Sequence, residues 1–143
     1  MLKKIIDNFI KSHGRRPRVL ICNFEPTEKS VEYSDLAIQY ANNGFDVDLA
    51  PFNSELNHIL KQSIENDVHF IHLHLNSYEN KNIISELKKK LNQRKKIDIL
   101  FIVSTENETH EIIKGNILYL SIKNKRLKQS IPKILDALQL RLI

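Results

Sequence analysis

Arg18-Val19-Leu20-Ile21-Cys22 opens the stretch that decides this fold, and Gly44-Phe45-Asp46-Val47-Asp48-Leu49 closes it. The first run is short, apolar and bounded by charge, the pattern of a strand buried on both faces. The second begins with a glycine suited to end a helix and continues as another short strand. Between them Val31, Tyr33, Leu36, Ala37, Tyr40 and Ala41 recur at helical spacing. Strand, loop, helix and strand in about thirty residues make a βαβ unit. The loop after its first strand, Asn23 to Ser30, lies at the carboxyl edge of the sheet, where doubly wound folds bind ligands.

The same alternation runs outward. Leu56, Ile59, Leu60 and Ile64 mark a helix, and Asp67 to Leu75 a third strand. Ile83, Ile84, Leu87 and Leu91 line the next helix, followed by a central strand from Ile97 to Val103. Glu111 to Lys114 is expected to be at most a short helix, ended by Gly115. Ile117 to Ile122 is the fifth strand. Ser130-Ile131-Pro132 opens a last helix, since proline is tolerated in a first turn. Strands alternating with helices predict a parallel sheet covered on both faces, joined by right-handed crossovers. At the amino terminus Leu2, Ile5, Ile6, Phe9 and Ile10 form an apolar stripe on a helix from Met1 to Ser12. That stripe either folds back on its own domain or meets another chain.

Composition limits the function. The 143 residues suit one core without metal or disulfides. The formal charge of +5 comes from scattered lysines and two runs, Lys88 to Lys90 and Arg94 to Lys96. No aromatic residue interleaves those runs, so a solvated helix face is expected and nucleic acid is not. The single cysteine, Cys22, falls in a central strand and reads as a small buried hydrophobe. With no secretory or membrane-length apolar segment, a cytoplasmic setting without membrane contact is expected. Neither a phosphate-cradling glycine loop nor a nucleophile elbow occurs. His72 and His74 share one strand face, with His69 expected on the other. They are weak metal candidates, because no cysteine or paired carboxylate completes a ligand set.

Gly14 to Ile21, Asn43 to Asp48 and Glu65 to His69 together resemble the cobalamin-binding domain of the methylmalonyl-CoA mutase family. The likeness spans roughly Gly14 to Leu140. It implies a flavodoxin-like (Rossmann-like) α/β three-layer sandwich, with five parallel strands in the order 2-1-3-4-5. The family's first loop carries Asp-x-His-x-x-Gly, whose histidine is the lower ligand of cobalt. Counted forward from Ile21, the aspartate falls on Thr27, the histidine on Lys29 and the glycine on Glu32, with Ser30 between. The family's serine and leucine after the third strand fall at about His74 to Asn76. Its Gly-Gly falls on Ser104-Thr105, and a later glycine-rich turn near Ser121 to Asn124. A protonated lysine has no lone pair for a metal, and side chains replace glycines that admit the cofactor.

The resemblance therefore implies a helix (residues 1–13) ahead of one cobalamin-domain-like unit (14–143) that has lost its cofactor. Such a unit would be an accessory module, not catalytic alone, within an acyl-CoA mutase. It would meet a mutase subunit or itself, through the stripe of Leu2, Ile5, Ile6, Phe9 and Ile10 or a sheet-flanking face. The alternatives are a cobalamin carrier binding base-off or without histidine, and a small-ligand sensor. The sensor's cleft would draw on Thr27, Lys29, Ser30, His74, Ser104 and Thr105.

Overall fold

The structure is a computed structural model, described for residues 2–23, 30–50, 56–74, 81–94, 99–105, 112–114, 117–121 and 130–142. Among the described residues five helices and six strands follow in order: α1 (Leu2–His13), β1 (Arg18–Asn23), α2 (Ser30–Asn42), β2 (Asp46–Ala50), α3 (Leu56–Glu65) and β3 (Phe70–His74). There follow α4 (Lys81–Gln93), β4 (Leu100–Thr105), β5 (Ile112–Lys114), β6 (Ile117–Ser121) and α5 (Ile131–Leu142). All strands join one sheet in the order β2-β1-β3-β4-β6-β5.

Five of them, β2-β1-β3-β4-β6, are parallel and stand in the expected order. The correction concerns Ile112 to Lys114, which pair antiparallel with β6 as a sixth strand at the edge instead of forming a short helix. Three residues close too few hydrogen bonds to nucleate a helix. The β-branched pair Ile112-Ile113 fits a pleat, and the edge of β6 supplies the partner groups.

Side chains alternate across the sheet and fill two cores. Val19, Ile21, Phe70, Leu100 and Ile102 face α1, α2 and α5, while Leu20, Cys22, Ile71, Leu73, Phe101 and Val103 face α3 and α4. This is the near-continuous apolar reading of a parallel sheet buried on both faces. Arg18 clamps β1 to β2 by a bidentate fork to Asp48, with Nε 2.6 Å and Nη2 2.8 Å from its carboxylate oxygens. That hydrogen-bonded carboxylate raises the Arg18 pKa.

The amino-terminal stripe takes the fold-back alternative. Ile6 and Phe9 are buried in the first core, and Ile5 and Ile10 pack partly buried against it; the side chain of Leu2 lies outside the described residues. Gly44 is what lets α1 approach. It ends α2 at φ +92°, with Phe45 N–H donating to the Tyr40 carbonyl and Gly44 N–H to the Ala41 carbonyl. These bonds are a Schellman cap, and the Phe45 and Tyr40 rings, 4.9 Å apart, add its usual apolar contact. A Cβ on Gly44 would stand 3.0 Å from Cγ2 of Ile6. No helix among the described residues is long and apolar enough to cross a membrane.

Gly44→Ala should therefore cost more than Gly14→Ala in urea unfolding. Both residues have positive φ, but nothing lies within 4 Å of a Cβ on Gly14. The left-handed backbone alone costs about 1–2 kcal/mol at either site. The excess at Gly44 measures how tightly α1 is seated, and equal losses would show that α1 yields freely.

Candidate functional site

Parallel register lines up Asn23 of β1, His74 of β3 and Ser104 of β4 in one row at the carboxyl edge. Thr105 pairs with Ser121 one step further. Of the other positions singled out in the sequence, Ser30 and Glu32 lie in the first turn of α2. Thr27 and Lys29 fall outside the described residues, as do the side chains of Ser30, Glu32, His74 and Thr105. The structure therefore brings together the strand-end members of the cleft. Of these, the side chain of Ser104 is described.

Beneath that row lies a buried polar chain. His72 and Ser104 are both 0% exposed, and Tyr40 from α2 is equally buried above them. The Tyr40 hydroxyl stands 2.6 Å from His72 Nδ1, and Ser104 Oγ stands 2.6 Å from His72 Nε2. Burial pushes the Tyr40 phenol well above its ordinary pKa, so it stays protonated. Each hydroxyl can donate or accept, so the Tyr40 phenol and the Ser104 hydroxyl between them satisfy both ring nitrogens of His72. The order is set by alternation: His72 and Ser104 point to the α2 face, and Tyr40 is an inward helical position four residues after Leu36. In the sequence Tyr40 reads only as part of an apolar stripe. A tyrosine on an inward helix face opposite a strand histidine was the signal available.

This arrangement bears on the metal candidates. Both nitrogens of His72 are engaged in hydrogen bonds, which leaves no lone pair for a metal ion. Among the described residues no group of three or more histidine, cysteine, aspartate or glutamate side chains converges. His69 departs from the expected alternation, because β3 begins only at Phe70. Its ring meets Phe9 edge-on at 5.1 Å and His13 at 5.7 Å, on the side of α1. His69 Nδ1 accepts the Arg18 backbone N–H at 3.0 Å. Cys22 is buried under α3 and α4, and desolvation pushes its thiol up to about 12.

No family model matches the chain. Methylmalonyl-CoA mutase of Escherichia coli (strain K12) is 32% identical over 96 residues, covering 67% of this chain and 13% of the relative. The mitochondrial methylmalonyl-CoA mutase of Homo sapiens is 30% identical over 97 residues, covering 68% and 13%. The large subunit from Propionibacterium freudenreichii subsp. shermanii is 28% identical over 101 residues, covering 71% and 14%. The chain thus spans 13–14% of the length of these relatives. Among solved structures, a novel cobalamin-binding protein from Desulfitobacterium hafniense DCB-2 superposes with a TM-score of 0.57 at 12% identity. That match covers 76% of this chain and 54% of the other. A putative lipoprotein from Peptoclostridium difficile 630 superposes with a TM-score of 0.57 at 14% identity, covering 87% and 99%. At these identities the superpositions speak for the fold.

Two outcomes follow from the geometry. Tyr40→Phe leaves buried Nδ1 without its hydroxyl partner and should destabilise the protein by about 1–3 kcal/mol in urea unfolding; a neutral result would mean the chain is dispensable. Cys22 should resist iodoacetamide at pH 8 in the native protein and react once guanidinium unfolds it, because only the thiolate attacks. Rapid native alkylation would contradict the burial.

Proposed function

This chain is a homologue of the cobalamin-binding segment of methylmalonyl-CoA mutases, and from that premise we propose that it is a cofactor-free form of that domain. In this reading it is an accessory module of the cytoplasm. It keeps the scaffold, performs no catalysis alone, and meets a mutase subunit or a second copy of itself.

One observation carries the reading. Ser104 stands where the resemblance places the first glycine of Gly-Gly. Its side chain is fully buried, and its hydroxyl is held 2.6 Å from His72 Nε2. A glycine there leaves room for close approach of a ligand to the backbone. Here the volume is filled by a hydroxyl, an imidazole and a phenol that satisfy one another. The donor chemistry agrees, since Lys29 replaces the family's histidine and an ammonium cannot ligate cobalt. The residues present therefore do not fit a histidine-ligated cobalamin. The stripe on α1 is spent in the domain's own core at Ile6 and Phe9, so a partner contact falls to a helix face flanking the sheet.

The competing reading is a carrier that binds cobalamin base-off or without histidine, and the kinship with mutases favours it. A titration separates the two. Hydroxocobalamin and adenosylcobalamin added to the purified protein should give no change in the visible spectrum and no calorimetric heat. Saturable heat would overturn the proposal, and its spectrum would tell a base-off carrier from a ligated one. A sensor using the carboxyl-edge row would instead show heat with a small molecule and none with either cobalamin.

A further inference from the structure

We propose that His69 is a pH latch on the amino-terminal helix: its neutral ring seats α1 on the sheet, and its protonation in acid releases α1. This goes beyond the accessory-module reading and does not depend on whether cobalamin binds.

Backbone partners settle the proton on two rings at this end of the sheet. Arg18 N–H donates to His69 Nδ1 at 3.0 Å, so that nitrogen carries a lone pair. His13 Nδ1 stands 3.1 Å from the Phe9 carbonyl, so there the ring is the donor. His13 keeps its bond in either protonation state. His69 loses its bond on gaining a proton, because two N–H groups then meet head-on. The backbone of His69 is held separately: its N–H donates to the Arg18 carbonyl at 2.9 Å, and its carbonyl accepts from Leu100 N–H at 3.0 Å. Protonation therefore displaces the ring and leaves the strand in place.

The last turn of α1 rests on that ring. His69 stands perpendicular to Phe9 at 5.1 Å and to His13 at 5.7 Å, while Phe9 and His13 stack at 3.9 Å. Gly14 follows at φ +77° with nothing within 4 Å of a Cβ, an open pivot between α1 and β1. Release uncovers Ile6 and Phe9, which α1 contributes to the first core. The charged groups at this end are already matched. Arg15 pairs with Asp67 at 3.4 Å, and the Arg18 fork holds Asp48. Asp46 acts on Arg18 from an exposed position. Arg16, Asp7 and Lys11 of the α1 segment, and Lys133 and Asp136 of α5, are exposed as well. Among the described residues, a proton on His69 thus adds a cation beside two arginines whose carboxylates are engaged.

A released histidine takes its proton at about pH 6.5. Where the seated ring excludes that proton, docking is at full strength above this pH and weakens about tenfold for each pH unit below it. With 12 residues, α1 is too short to stay helical alone, so release exposes its amides.

Hydrogen–deuterium exchange on the full chain, read by mass spectrometry and corrected for intrinsic rates, follows the release. Between pH 7.5 and 5.5 the peptide covering residues 2–13 should lose about tenfold in protection, while that covering 99–105 keeps its own. His69→Asn, whose Oδ1 accepts the same N–H without titrating, should leave α1 protection flat across that range. His13→Asn should retain the pH response of the native chain. Flat protection in the native chain, or an equal loss in both peptides, would overturn the proposal. So would a pH response that persists in His69→Asn or disappears in His13→Asn. The native chain and His13→Asn decide even where His69→Asn loosens α1 at every pH. Cobalamin binding in the titration would sink the cofactor-free reading and leave the latch standing.

Discussion

The hydrogen-bonded chain Tyr40–His72–Ser104 is the constraint on which the carboxyl half of this molecule depends. A histidine at the centre of a parallel sheet is costly unless both ring nitrogens find partners, because a buried unpaired polar group loses its water without recompense. Here one partner descends from α2 and the other stands on the neighbouring strand, at 2.6 Å each. Three elements far apart in sequence are thereby held in one arrangement. The same contacts occupy volume directly beneath the edge where such folds take ligands. Stability and the proposed loss of the cofactor follow from one set of atoms.

The amino-terminal end of the sheet is closed by a different device. Phe9 is 1% exposed, stacked on His13 at 3.9 Å and met edge-on by His69. Gly44 supplies the room beside Ile6 that lets α1 lie there. The helix that precedes the βαβ unit is therefore part of its core, seated on the face that α2 and α5 also cover. The opposite face is covered by α3 and α4, whose Ile59, Leu60, Leu87 and Leu91 close a second core on the sheet.

Much of this was legible from local pattern. The run Arg18 to Cys22, the glycine at Gly44 and the strand from Asp46 are short-range signals, and they gave the alternation of strand and helix; the order of the five parallel strands came from the family resemblance. What escaped depended on partners distant in sequence. Ile112 to Lys114 form a strand only because β6 leaves an edge to pair with. The ring of His69 lies beside α1, and the strand starts at Phe70, three residues after the expected start at Asp67. The two hydrogen bonds of His72 come from α2 and β4 and have no trace in the strand's own sequence. Thr27 and Lys29 lie outside the described residues, so the first loop of the site rests on sequence alone.

The claim that a satisfied, neutral histidine closes the carboxyl edge is tested most directly by long-range ¹⁵N–¹H spectroscopy of the His72 ring. The ring is expected to be a neutral imidazole held in a single tautomer, unchanged when hydroxocobalamin is added. An imidazolium signature, or ring signals that move with the cobalamin, would show an open and accessible pocket and contradict it.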